Sequence, residues 1–265
     1  MDLGLANARV LVTGGASNIG RGIVHGFAAE GARVVIADVD ADQAAKVRAE
    51  ALERGAAQAE VVVTDLTEAG AGDQAVAAVT GRWGGLDVLV NNAGWSVPGF
   101  LAEDTDRAKW QRTVEINFFT AIACTQAAIP PMREAGTGAI VFIASDAAFG
   151  QIRQGIYGAT KAALIALART TAREHGRHGI RANVICPGLV LPESPDAVGA
   201  ASLWAVGQDA VFNEKQIDYL KKEIPLRRLT TAADVANSVT WIASDRAARQ
   251  VTGQVISVSG GYTMP

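Results

Sequence analysis

Short apolar runs rich in β-branched residues alternate with longer Ala-rich stretches along the whole chain, and that alternation limits the fold more than any other feature. The runs are RVLVT (9–13), RVVIAD (33–38), AEVVVTD (59–65), LDVLVNN (86–92), GAIVFIAS (138–145), IRANVICPG (180–188) and GQVISVSGG (253–261). Each is nearly continuous in apolar character, as expected of parallel strands covered on both faces. Between them, residues 19–30, 40–54, 68–82, 104–135, 156–178 and 231–244 carry helical patterns. Such alternation implies an α/β protein with a doubly wound parallel sheet, right-handed crossovers and helices on both faces. At 265 residues the chain reads as a single domain, 1–265, able to bury a sizeable core. One stretch breaks the pattern. Residues 189–229 are too many for a plain connection and are expected to form a substrate lid.

Several function classes are excluded on composition. The net charge is −3 and no basic run exceeds two residues, so no nucleic-acid partner is expected. No apolar run approaches the length of a membrane span, and MDLGLANARV lacks the basic and apolar regions of a signal peptide. Cys124 and Cys186 lie far apart in apolar company and read as reduced thiols of a cytoplasmic protein. His175 and His178 fall at a helix end without a third ligand, so no metal site is expected.

The stretch TGGASNIGRG, Thr13 to Gly22, follows the first strand. It is not a P-loop, because Arg21 and Gly22 stand where Lys and a hydroxyl residue are needed. It is not a nucleophile elbow, because Ile19 occupies the last glycine place. Strand, Gly-rich turn and helix do come in the order of the first βα turn of a Rossmann unit. There Gly14 and Gly20 would let the backbone approach a pyrophosphate at the helix N-terminus. Asn18 sits where a glycine of positive φ is expected, and Asn tolerates that region best among other residues. Taken alone the stretch is also compatible with a mere turn. Asp38 adds weight, ending the second strand 18 residues after Gly20, the spacing at which a carboxylate meets the adenosine ribose. No cation adjoins it, so NAD is expected over NADP. A helix N-cap is the plainer role for the same residue.

YGATK places Tyr157 and Lys161 at i and i+4, on one helix face. An ammonium near a buried phenol favours phenolate, so the Tyr157 pKa is expected to fall towards working pH. Ser145 ends a buried strand twelve residues earlier, at the sheet edge where ligands bind.

With TGGASNIG, Asp38, TDL at 64–66, NNAG at 91–94, Asn117 in EINF, Ser145, YGATK and CPG at 186–188, nearly the whole chain resembles the short-chain dehydrogenase/reductase family. The resemblance implies a seven-stranded Rossmann sheet in the order 3-2-1-4-5-6-7. It implies Tyr157 as the proton-transferring base, with Lys161 tuning it and holding the nicotinamide ribose. Ser145 would bond the reacting oxygen and Asn117 would anchor a relay water. Gly14, Ser17, Asn18, Ile19, Gly20, Asp38, Asp65, Leu66, Asn91, Ala93, Gly94, Pro187, Gly188 and Val190 would contact NAD, with Asp65 at the adenine. Trp95, Phe149, Leu189 and Trp204 could line an apolar pocket for a small-molecule substrate, with core packing or a subunit interface equally open, and Asp146 could orient a substrate group, with capping or solvent exposure the plainer role. A homotetramer is implied as well.

Three departures from the family pattern stand out. Asn18 replaces a glycine, the Ser145–Tyr157 interval is one residue short, and Pro192 stands where a Thr usually touches the cofactor. A finer resemblance, in NNAGW, IASDAA, AREHGRHGI, IPLRRL and VTGQVISVSGGYTM, is to NAD-linked 2-hydroxycyclohexanecarboxyl-CoA dehydrogenases, which suggests an alicyclic or hydroxyacyl-CoA alcohol. The rival readings are an NADPH-dependent carbonyl or 3-oxoacyl-thioester reductase and a noncatalytic dinucleotide-binding regulator.

Overall fold

The computed structural model describes residues 2–200, 202–206 and 212–265. Its centre is one sheet of seven parallel strands in the order β3-β2-β1-β4-β5-β6-β7. The strands are β1 (Arg9–Thr13), β2 (Arg33–Asp38), β3 (Gln58–Val63), β4 (Val88–Asn91), β5 (Gly138–Ile143), β6 (Ile180–Pro187) and β7 (Val255–Val258). The inner ones form because their apolar side chains are buried from both sides, whereas the edge strands β3 and β7 are mostly half-buried. Every residue of β4, β5 and β6 is buried. Side chains alternate between two cores. Val10 and Val12 join Ile23, Phe27 and Val239 on one face, whereas Leu11 joins Val79, Met132 and Leu164 on the other.

Helices cover both faces. They are α1 (Asn18–Ala29), α2 (Ala41–Glu53), α3 (Ala71–Trp83), α4 (Arg107–Val114), α5 (Thr120–Ala135), α6 (Gly155–His175), α7 (Glu214–Glu223), α8 (Ala232–Ala243) and α9 (Asp245–Ala248). Among the described residues none is long and apolar enough to cross a membrane. β1 pairs with both β2 and β4, so strand order reverses there and a crevice opens at the strand ends.

One reading is corrected. The helix expected over 104–135 starts at Arg107, after Asp106 caps it by accepting the Lys109 amide at 3.1 Å. It is also interrupted, because Glu115–Phe119 forms a π-helical segment between α4 and α5. The stretch 189–229, too long for a plain connection, carries structure of its own. It holds short 3-10 turns at Pro195–Ala197 and Leu203–Val206, then α7, which Asn213 and Gln216 cap reciprocally. A bridge between Val190 and Thr230 ties its ends together. Residues 201 and 207–211 of the expected lid lie outside the described residues.

Candidate active site

The glycine loop is bolted to the end of β4. Asn92 Nδ2 donates to the carbonyls of Thr13 at 2.9 Å and Gly14 at 2.8 Å. Thr13 Oγ1 accepts the amides of Asn92 and Ala93 at 2.9 and 3.0 Å. Gly20 is required by this packing itself, since a Cβ there would lie 2.0 Å from the Gly14 carbonyl oxygen. Asn18 does take a positive φ, 42°, and its Nδ2 donates to the Val190 carbonyl at 3.2 Å. The loop thus holds its shape by short internal contacts.

Asp38 faces this loop. Its carboxylate accepts the amide of Ala16 at 2.9 Å and that of Asp40 at 3.1 Å. Burial raises its pKa, and the amides oppose the rise. The plainer N-cap role belongs instead to Asp40, which accepts the Gln43 amide at 3.0 Å at the start of α2. Asp65 is held below the ordinary carboxylate range by the Thr67 hydroxyl and amide, with Arg112 of α4 at 3.5 Å.

A cleft of about 530 Å³ runs along the strand ends. Of the residues singled out above, Gly14, Ser17, Asn18, Ile19, Gly20, Asp38, Asp65, Leu66, Ala93, Gly94, Trp95, Tyr157, Lys161 and Trp204 line it. Asn91 does not, because its side chain is buried beneath the floor and donates to Thr125 Oγ1 at 3.0 Å. Pro187, Gly188, Leu189 and Val190 also stay out of the lining. They launch the segment that follows β6, Gly188 donating to the Val258 carbonyl at 3.1 Å. Phe149 is exposed beyond the Ser145 turn.

The first part of the segment after β6 reaches the glycine loop and the start of α2. The Gly199 amide donates to Ser17 Oγ at 3.3 Å and the Ala200 amide to Asp40 Oδ2 at 3.0 Å. Gln43 Nε2 and Lys46 Nζ both donate to the Asp196 carbonyl at 3.0 Å. Its first half therefore covers the Asp38 end of the cleft, across from Tyr157, and Gly199, Ser202 and Trp204 become part of the wall. Reasoning from sequence missed Thr13, Asp40, Asn92, Arg112 and Gly199. Asn92 was within reach, as a second amide side chain at a strand end next to a glycine loop. The others meet their partners only through the fold.

At the opposite end, Tyr157 and Lys161 stand one turn apart on α6, with Lys161 Nζ 5.6 Å from the Tyr157 ring centre. Lys161 is 3% exposed and donates to the Ile143 carbonyl at 2.9 Å. Asn117 lies in the π-helical segment with both amide protons and one lone pair of Oδ1 engaged. Nδ2 donates to the carbonyls of Trp95 at 2.7 Å and Thr113 at 2.8 Å, and Oδ1 accepts the Trp95 amide at 3.1 Å. Its side chain pins the Trp95 loop and takes over a helical carbonyl, which suits the π distortion. Ser145 Oγ accepts the Ala147 amide at 3.1 Å and donates to Asp146 Oδ1 at 3.1 Å. The shortened Ser–Tyr interval is met by a 3-10 turn over Asp146–Phe149, a positive φ of 65° at Arg153, and Gly158. A Cβ on Gly158 would lie 2.5 Å from the Ala147 carbonyl oxygen, so glycine lets α6 close on this turn.

The expected lowering of the Tyr157 pKa is overturned. Burial pushes the phenol up to about 12, against the Ser145 hydroxyl, which works the other way. Burial also pulls the Lys161 ammonium down to about 8. Desolvation acts on both charged forms, and Lys161 spends a proton on the Ile143 carbonyl rather than on the phenol.

This arrangement has parallels among known proteins. Residues 14–263 match the enoyl-(acyl carrier protein) reductase family. The chain is 35% identical over 264 residues to the (2S)-[(R)-hydroxy(phenyl)methyl]succinyl-CoA dehydrogenase subunit BbsD of Thauera aromatica, covering 99% of both. It is 31% identical to the 3-oxoacyl-[acyl-carrier-protein] reductase FabG of Staphylococcus epidermidis, covering 97% of this chain and 100% of that one. A solved 7α-hydroxysteroid dehydrogenase, in complex with NADH and 7-oxo glycochenodeoxycholic acid, superposes with a TM-score of 0.87 at 32% identity, over 98% of this chain and 96% of the other.

Proposed function

The chain belongs to the short-chain dehydrogenase/reductase family of oxidoreductases acting on alcohol and ketone groups, and on that footing we propose that it interconverts a secondary alcohol and a ketone with NAD. One observation carries the reading. A single cleft has Asp38 at one end and Tyr157 with Lys161 at the other. Its size suits a cofactor, and the positive φ of Gly14 and Asn18 in the loop at its Asp38 end supports a pyrophosphate there.

NAD, when bound, supplies the hydride acceptor or donor. The chain's own residues do the rest. Asp38 accepts from the adenosine ribose hydroxyls and repels a 2′-phosphate. Ser145 Oγ holds the oxygen of the reacting carbon. In oxidation Tyr157 takes the alcohol proton as the C–H hydride leaves carbon, and in reduction it gives that proton to the nascent alkoxide. Lys161 positions the ribose, and its charge favours the phenolate once the occupied cleft has brought the Tyr157 pKa down. Asn117 holds the Trp95 loop over the site. Residues 1–265 act as one domain, in a cytoplasmic homotetramer. The likeness to BbsD favours a hydroxyacyl-CoA as substrate.

A second reading, an NADP-linked 3-oxoacyl-thioester reductase, draws on the likeness to FabG. A screen of NAD and NADP reduction against free cyclic alcohols and hydroxyacyl-CoA thioesters separates the two. NAD-linked turnover of a thioester is expected. Turnover with NADP alone defeats the role of Asp38, and activity confined to small free alcohols defeats the acyl-CoA proposal.

A further inference from the structure

The proton of Ser145 is already engaged. A hydroxyl has one proton and two lone pairs. Ser145 Oγ accepts the Ala147 amide and donates to Asp146 Oδ1, each at 3.1 Å. The reaction proposed above asks that same proton to reach the substrate oxygen, so a charged Asp146 competes with substrate for it.

The neighbours of Asp146 make its charge easy to lose. It faces Tyr157 from α6, Cys186 from β6 and Tyr262 from the segment after β7. Tyr219 and Glu223 of α7 stand beyond Tyr262. None of these is a cation. Lys161, behind Tyr157, is bonded to the Ile143 carbonyl. Burial accordingly raises the Asp146 carboxyl above its ordinary range, and only the Ser145 hydroxyl and the Ala147 amide oppose the rise.

We propose that Asp146 is a positioning residue that acts through Ser145. When charged it holds the serine proton away from the substrate. When protonated it donates to Ser145 Oγ and frees the serine proton for the substrate oxygen. In the protonated state both lone pairs of Oγ are filled, by the Ala147 amide and the Asp146 acid, and the one remaining proton turns to the Tyr157 side, where the reacting oxygen would lie. No net bond is made or broken, and the proton on Asp146 exchanges with solvent. The consequence is a preference for carbonyl polarisation, and so for ketone reduction, at lower pH.

The inference rests on the assignment of Ser145 to the substrate oxygen, and two measurements keep the two claims apart. The first is an NMR titration of the aspartate carboxyl carbons, with Asp146→Asn assigning the resonance. In Ser145→Ala the Asp146 carboxyl should titrate about one unit higher than in the wild-type protein, because the carboxylate has lost its donor. An unchanged midpoint overturns the proposal. The second is kcat for NADH-linked reduction against pH, with the ketone of whichever panel alcohol turns over. Asp146→Asn should flatten the fall in rate from acid to neutral pH and raise kcat about three- to tenfold at its alkaline end. A profile that keeps its shape, or a uniform loss at every pH, shows a merely structural residue and overturns the proposal. If the wild-type protein turns over nothing in the panel, the functional reading fails, and the carboxyl titration still decides whether Asp146 holds the serine proton.

Discussion

The two ends of the cleft are built differently. At the adenosine end the working group, Asp38, is held by the amides of Ala16 and Asp40, the glycine loop is bolted to β4, and the segment after β6 is latched over both. Nothing there must change charge to bind a ribose. At the reacting end, burial has moved Tyr157 up to about 12 and Lys161 down to about 8. Burial thus disfavours the charged form of both, although catalysis uses a phenolate beside an ammonium. Backbone donors can prebuild a binding site, whereas a buried acid–base pair needs the charge and hydrogen bonds of what enters it.

Substitutions that touch one end should therefore leave the other intact. The largest effect belongs to the reacting end. Tyr157→Phe should lower kcat by about a thousandfold or more while NADH affinity, read by fluorescence titration, stays within about twofold. A parallel loss of affinity would mean that the ends are not separable. Next comes Gly20→Ala, whose new Cβ meets the Gly14 carbonyl. It should weaken NADH by about a hundredfold in calorimetry as the loop is forced open. Asp38→Ser removes the carboxylate and should move the NAD-to-NADP ratio of kcat/KM towards NADP by about tenfold or more. The smallest contrast concerns Asn18, at φ 42°. Asn18→Gly should keep NAD affinity, while Asn18→Val should weaken it about fivefold, because a β-branched residue resists that backbone.

The same division marks what was legible in the chain. The strands, the positive φ at Asn18 and the i, i+4 pair of Tyr157 and Lys161 all follow from local pattern, so they could be read directly. The π-helical segment could not, because it depends on Asn117 finding the Thr113 and Trp95 carbonyls together. Asn91 and Asn92 look alike in sequence. Only the end of β4 sends Asn91 under the floor and Asn92 to the loop. The latch of Ala200 on Asp40 joins residues 160 apart, and no local pattern foretells it. The Tyr157 pKa went the wrong way for a related reason. Spacing shows that Lys161 is near, but only the packed structure shows how dry the pair is and that Ile143 already holds the ammonium.

The central claim is that Tyr157 is the acid–base group and that the occupied cleft sets its pKa. The direct measurement is the ultraviolet phenolate titration of Tyr157, taken as wild type minus Tyr157→Phe, with and without saturating NAD. Alone, the phenol should stay protonated up to a pH of about 12. With NAD bound, a positive ring nearby should bring it down by about two units or more, and NAD-linked oxidation should rise with pH over the same range. A phenol that titrates identically in both states, or oxidation that is flat across that range, would contradict the account.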